Sequence, residues 1–346
     1  MRAGLFASTA AVALVVGLHA GSSPSVPRTP DGHADLQGTY DLGTLTPLER
    51  QQGMPAVLPA AQAATLEKEL VRQMETGALP SRPDRSAPPV GGDGSKGPAG
   101  NVGGYNTFWL DPGSHFTKVN GEIRTSLIVD PTDGRVPPLT PEAKQRNAAR
   151  ETTTSDQQSR ENDPGYEGPG AYDDPERRPL GERCLLGFAS TSGPPALPTY
   201  FYNNLHQVVQ TPEYVMILTE MVHDARIVRI GGTHLPKTIR KWMGDSVGHW
   251  DGDTLVIDTT NFTDKTRFRG STENLHVVER LSRLDAQTLL YRFTVEDPQT
   301  WERPWTGEYA WPVTKDLIYE YACHEGNYAL ANILRGARLK EKESRK

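Results

Sequence analysis

The chain is poor in cysteine, carries no excess of positive charge and, after its first twenty residues, has no long apolar run. Each shortage excludes something. Acidic residues number 43 and basic residues 37, for a net charge of −6, which argues against a general nucleic-acid binder because phosphate contacts need a concentrated basic surface. No segment after the N-terminus is apolar for the roughly 18 to 20 residues that a bilayer crossing needs. Phosphate loops and dinucleotide fingerprints are missing, so nucleotide chemistry is not expected. No histidine pair has the close spacing of a zinc site, neither His-Glu-x-x-His nor two histidines on one strand face. The run Gly244-Asp-Ser-Val-Gly248 follows Lys241-Trp-Met243 rather than a buried strand and precedes a hairpin. It reads as a turn, which disfavours Ser246 as a nucleophile.

What is abundant is glycine and proline, 33 and 28 of 346 residues. Of the prolines, 23 lie before residue 200, clustered with glycine in Pro80 to Gly104 and Pro164 to Pro198, runs that cannot be regular structure. Before them, Arg2, an apolar stretch from Leu5 to Leu18 and the small residues around Ala20 make the three-part pattern of a secretory signal peptide, residues 1–20. A periplasmic or secreted protein follows. In that oxidising setting Cys184 and Cys323 allow a single pairing, and a disulfide is the expectation, with free buried thiols or a chemical role as alternatives.

The remainder divides at about residue 200. Residues 21–200 read as a Pro/Gly-rich belt with a helix from Ala60 to Met74, one strand from Arg124 to Asp130, a second polar helix from Pro141 to Arg150 and an exposed extension from Glu151 to Asn162. Residues 201–346 switch to short period-two runs. Tyr214 to Glu220 and Arg226 to Ile230 are candidate strands. Three hairpins follow, around Asp251-Gly252, around Asp285-Ala-Gln287, and from Thr306–Pro312 to Leu317–Cys323. Tyr328 to Lys340 has Leu330, Ile333, Leu334 and Ala337 at helical spacing, a closing helix. The fold class is mainly β: an antiparallel meander closed or nearly closed into a lipocalin-like barrel, wrapped by the belt and ended by a helix.

Alternation sorts the polar residues by face. Leu289, Tyr291, Phe293 and Val295 point inward, and Glu279 shares a face with Leu275, Val277 and Leu281. Asp258 shares one with Val256, and Glu220 one with Met216 and Leu218. A carboxylate among apolar side chains needs a cation, a donor cluster or a neutral form. Internal ion pairs with Arg226, Arg229, Arg280 or Arg283 would serve; so would a general acid or base with a shifted pKa. The candidate catalytic set is His223, His276, Glu279 and Asp258, with Arg226 holding an anionic group and Tyr291, Phe293 and Trp250 lining the substrate site. No cofactor is expected, although His223, His276 and His324, with Glu220 or Glu325, could collect a transition metal from separate strands.

Three stretches resemble a family of secreted bacterial proteins that has no assigned activity. They are Trp242-Met-Gly-Asp-Ser-Val-Gly-His-Trp-Asp-Gly-Asp-Thr-Leu-Val-Ile-Asp-Thr-Thr-Asn-Phe262, Asn274-Leu-His-Val-Val-Glu-Arg280 and Tyr321-Ala-Cys-His-Glu-Gly-Asn-Tyr328. The resemblance implies one secreted unit in which the belt belongs with the barrel. Two functions stand side by side: acid/base chemistry of isomerase, lyase or hydrolase type on a small amphipathic molecule, or non-catalytic binding of a small hydrophobic ligand. N-terminal sequencing of the exported protein is expected to begin at or near Gly21; a chain still starting at Met1 would remove the signal peptide.

Overall fold

The computed structural model describes residues 26–79, 111–149, 172, 174–187, 193–199, 202–266 and 268–344. The signal segment, the Pro80–Gly104 run, the Glu151–Asn162 extension and much of Pro164–Pro198 lie outside them. Among the described residues no helix is long and apolar enough to cross a membrane.

The first half supplies β1 (Gly38–Asp41), β2 (Val57–Leu58), α1 (Ala60–Ala78), β3 (Lys118–Val119), β4 (Glu122–Arg124), β5 (Ile128–Asp130) and a helical stretch at 141–149, α2. Thr140 starts α2 by accepting the Ala143 amide at 3.1 Å. The second half supplies β6 (Leu205–Gln210), β7 (Tyr214–Thr219), β8 (Asp224–Ile230), β9 (Asp245–Asp251), β10 (Thr254–Thr260), β11 (His276–Asp285), β12 (Thr288–Glu296), β13 (Trp305–Pro312) and α3 (Tyr328–Ser344). Ten strands form one curled, open sheet in the order β1-β6-β7-β8-β9-β10-β11-β12-β13-β5, and β2-β4-β3 form a small second sheet. β1, at one end of the large sheet, meets the chain just past β13, the strand next to the other end, through the bridge Tyr40 to Val313, and the curl is an open half-barrel where a closed or nearly closed barrel was expected.

The hairpins around Gly252 and Asp285 are present. Gly252 takes φ +59°, the left-handed backbone that a two-residue turn demands there. The third expected hairpin is not. The free edge of β13 is taken by β5, with Leu127 and Ile128 fully buried, while Leu317 and Tyr319 of the supposed partner strand are 67% and 68% exposed. The expected strand Arg124–Asp130 is in fact two strands, β4 and β5, in two different sheets. The meander has another break. β8 and β9 run parallel, Arg229 opposite Val247, so residues 231–244 must travel back along the sheet before β9 can begin. The stretch from Gly244 to Gly248, expected as a turn, runs largely as the start of β9.

Burial follows the inward sets. Tyr291, Phe293, Trp305, Tyr309 and Trp311 are fully buried, and Tyr291 stacks on Trp311 with ring centroids 4.5 Å apart. Residues 193–199 lie inside this core: the Ala196 amide donates to Tyr291 Oη at 2.9 Å, and Tyr309 Oη donates to the Ala196 carbonyl at 3.0 Å. The disulfide joins Cys184 to Cys323, Cα atoms 5.8 Å apart, although Cys323 sits in an irregular segment and not in a final strand. Asn327 tightens that link by donating to the Glu182 carbonyl at 2.6 Å and then caps α3 through the Leu330 amide. On α3 the residues Leu330, Ile333, Leu334 and Ala337 are only partly covered, so the helix does not close the core as expected.

Gly307 stands directly opposite Phe293 across β12 and β13, and the Phe293 ring fills the space a Cβ would take. Gly307→Ala is therefore expected to destabilise the fold by about 1 to 3 kcal/mol through overpacking. Urea unfolding measures it, and Phe293→Leu in the same background should recover part of the loss.

Candidate functional site

The four sequence-selected catalytic residues fall in three places. β11 alternates strictly: Val277, Glu279 and Leu281 are fully buried on its inner face, while His276, Val278 and Arg280 are half-exposed on the outer one. Glu279 and His276 therefore cannot share a site. His223 stands apart from both, exposed on the Met221–His223 turn between β7 and β8 with φ +47°.

On the inner face Glu279 meets Arg226. The guanidinium donates twice, Nη1 to Oε2 at 2.6 Å and Nη2 to Oε1 at 2.7 Å, and Tyr291 Oη donates to Oε1 at 2.7 Å. Both charged groups are buried, and burial works against the Arg226 charge, but Glu279 holds it protonated. Burial and the Glu279 charge raise the Tyr291 hydroxyl well above its ordinary pKa. Ser246 completes the layer, 3.4 Å from Arg226 and 2.9 Å from Thr259 Oγ1. Arg226, expected to hold a ligand's anionic group, is matched by a partner from the fold itself. Phe293 packs 5.6 Å from Tyr291, and Trp250, next to the turn between β9 and β10, is stacked on His33 at 4.5 Å.

On the outer face a chain of alternating carboxylates and imidazoles crosses four strands. His276 Nδ1–H donates to Glu296 at 2.6 Å and Nε2–H to Asp258 at 2.9 Å. The other Asp258 oxygen lies 2.9 Å from His234 Nε2, and His234 Nδ1 lies 3.3 Å from Asp245. Asp245 also accepts both Arg229 Nη groups, Lys241 Nζ and the Leu235 amide. The bond to Asp258 raises His276 against the effect of burial, with Glu296 adding to it, to about 9. The same bond lowers the Asp258 carboxyl. For Asp245, burial alone would raise the carboxyl, but Arg229, the Leu235 amide and Lys241 outweigh it and hold it far below its ordinary value.

Asp258 and His276 are thus brought together; His234, Asp245 and Glu296 are the members that pattern reading missed. Glu296 was within reach. The β11–β12 hairpin sets it directly opposite His276, so counting outward from the turn identifies the pair. His234 was not, because residues 231–244 return along the sheet, and only the parallel β8–β9 pairing puts His234 beside Asp258. The proposed metal ligands stay apart, with His324 and His223 exposed on separate loops. Among the described residues no group of three or more His, Cys, Asp or Glu side chains is arranged to hold a metal ion. No protein family, curated relative or solved structure matches the chain.

Two measurements check these clusters. Glu279→Gln leaves Arg226 buried without a counter-charge and is expected to cost about 3 to 5 kcal/mol in denaturant unfolding, whereas Arg226→Met with Glu279→Leu should recover most of that. The folded pKa of His276, about 9, lies above its ordinary 6.5, so its contribution to stability is complete below pH 6.5 and is lost as pH rises through about 9. Stability followed against pH should fall more steeply over that window in the unaltered protein than in His276→Ala; parallel curves would contradict the assignment.

Proposed function

We propose that this is a secreted or periplasmic protein that acts on a small amphipathic molecule by acid/base chemistry of isomerase, lyase or hydrolase type. His234 is the proton-moving group and Asp258 its orienting carboxylate. The observation that carries this reading is the grip on His234: one nitrogen held at 2.9 Å by Asp258, the other in a loose 3.3 Å contact. A carboxylate only accepts, so Nε2–H points to Asp258, and a proton on Nδ1, facing Asp245 at a loose 3.3 Å, is the one His234 would give to a substrate and take back. Leaving Asp245 costs His234 little, since Asp245 keeps four other hydrogen bonds. His276, a fixed cation between two carboxylates, keeps Asp258 ionised and so confined to orienting.

The compartment is supported by the disulfide, which suits an oxidising space, together with the N-terminal export pattern. In this reading residues 21–200 and 201–346 work as one unit, the belt completing a lipocalin-like enclosure around the sheet. The position of β1 and β5 at the two ends of the large sheet, with residues 193–199 inside it, supports that arrangement. The other reading, a non-catalytic binding protein for a small hydrophobic ligand, draws on the aromatic interior.

Native mass spectrometry of protein taken from its own periplasm should identify a co-purifying molecule, whose conversion can then be followed. His234→Ala and Asp258→Asn are expected to lower kcat by about a hundredfold or more with the circular dichroism spectrum unchanged. A molecule that is returned unaltered, with affinity indifferent to His234→Ala, would decide for the binding protein instead.

A further inference from the structure

Among the described residues no strand or helix packs along α3, and none of its side chains belongs to the buried core or rests against it. Its attachment is at its start: the Cys184–Cys323 disulfide, and the Asn327 side chain, which donates to the Glu182 carbonyl and accepts from the Leu330 amide. From there its 17 residues run for about 26 Å. A helix this short draws most of its stability from packing its apolar face. Leu330, Ile333, Leu334 and Ala337 form such a stripe, and each is left partly open to solvent. Leu317, Tyr319, Tyr328 and Leu339, in the same part of the chain, are more than half exposed, Tyr328 by 75%. Charge is just as uneven. Residues 328–346 hold six basic side chains against two acidic ones, in a chain whose net charge is −6. Helical spacing sets Arg338 and Lys340 at the two borders of the stripe, and Glu341, which falls on the same face, is paired with Arg338.

We propose that α3 lies along an anionic phospholipid surface, its apolar stripe sunk into the headgroup boundary and its arginines and lysines on the lipid phosphates. A bilayer surface offers an apolar layer beneath a plane of negative charge, and a basic amphipathic helix matches both at once. Long basic side chains at the borders of the stripe reach phosphates while their stems stay over apolar ground. Tyrosine suits the same boundary, because its ring is apolar and its hydroxyl stays wet. The helix lies on such a surface and does not cross it, since among the described residues no helix is long and apolar enough to do so. A second copy fits the stripe less well, because its own α3 carries the same excess of positive charge and the two helices repel. The disulfide passes the anchorage on to the rest of the fold through Cys184. No residue of the His234 cluster takes part, so this proposal and the acid/base reading can fail independently.

The test is co-sedimentation of the exported chain with vesicles of phosphatidylcholine alone and of phosphatidylcholine with an equal part of phosphatidylglycerol. Binding is expected on the mixed vesicles at low salt, about tenfold or more weaker on phosphatidylcholine alone, and falling as salt is raised. Arg335→Gln with Lys342→Gln should weaken it about twentyfold, or about fivefold for each charge removed from the surface. Lys68→Gln with Lys144→Gln removes the same charge from exposed positions outside α3 and is expected to leave binding unchanged. Leu330→Ser with Leu334→Ser breaks the stripe and should weaken binding about tenfold or more. Because α3 lies outside the core, the urea midpoint of each variant should match that of the unaltered chain. The Arg335 and Lys342 variant keeps the stripe whole, so it decides by itself if the serine variant loses the helix. The proposal is overturned if the mixed vesicles are not bound at low salt, if phosphatidylcholine alone binds as well, or if the Lys68 and Lys144 variant loses as much as the Arg335 and Lys342 one. A dimer in light scattering that Leu330→Ser with Leu334→Ser dissolves would also overturn it, giving the stripe to a second copy.

Discussion

The ion pair between Arg226 and Glu279 is the constraint around which the large sheet is organised. β8 and β11 stand three places apart in the sheet order, about 14 Å along a flat sheet at roughly 4.8 Å per strand. Side chains stand roughly perpendicular to a sheet, so on a flat one these two could not meet end to end. Their bidentate contact exists because the sheet curls, and it spans the concave face as a chord. Tyr291 carries the link onward to β12, and its hydroxyl receives the Ala196 amide, which fixes residues 193–199 in the interior. A buried pair of this kind is weak evidence for net stability, but each partner is costly without the other. Curl, aromatic packing and the entry of a proline-rich segment are thereby coupled.

The same strands carry a different chemistry on their outer side. Period-two alternation places Glu279 within and His276 without, three residues apart on β11. What converts scattered outer residues into a cluster is the parallel pairing of β8 with β9. A parallel step obliges the chain to return to its starting end, and the returning segment brings His234 between Asp245 and Asp258. Carboxylates and imidazoles then alternate from Glu296 to Asp245, each imidazole lying between two carboxylates.

Much of this was legible from local pattern. The strand faces of β11 and β12, the hairpins around Gly252 and Asp285, the helices α1 and α3 and the pairing of the only two cysteines all follow from periodicity, turn chemistry or arithmetic. The failures share one cause. Leu317–Cys323 alternates as a strand does, yet the edge of β13 belongs to Ile128–Asp130, nearly two hundred residues away in sequence. Alternation states that a segment can pair and says nothing about which edge is free. In the same way the helical spacing of Leu330, Ile333, Leu334 and Ala337 predicted a helix correctly, but not that its apolar face would stay half-exposed.

By itself the sequence determined the β class of the second half, the inward placement of Glu279 and the possibility of one disulfide, because each depends on spacing within a few residues or on counting. Only the tertiary structure decided that Glu279 is matched by Arg226, that His276 and Asp258 belong to the outer face with His234, and that the sheet remains open. Those outcomes depend on which strands become neighbours and on the direction in which each runs. Neighbour choice is set by competition among distant segments for the same edges and the same buried volume, and no local stretch of sequence contains that competition.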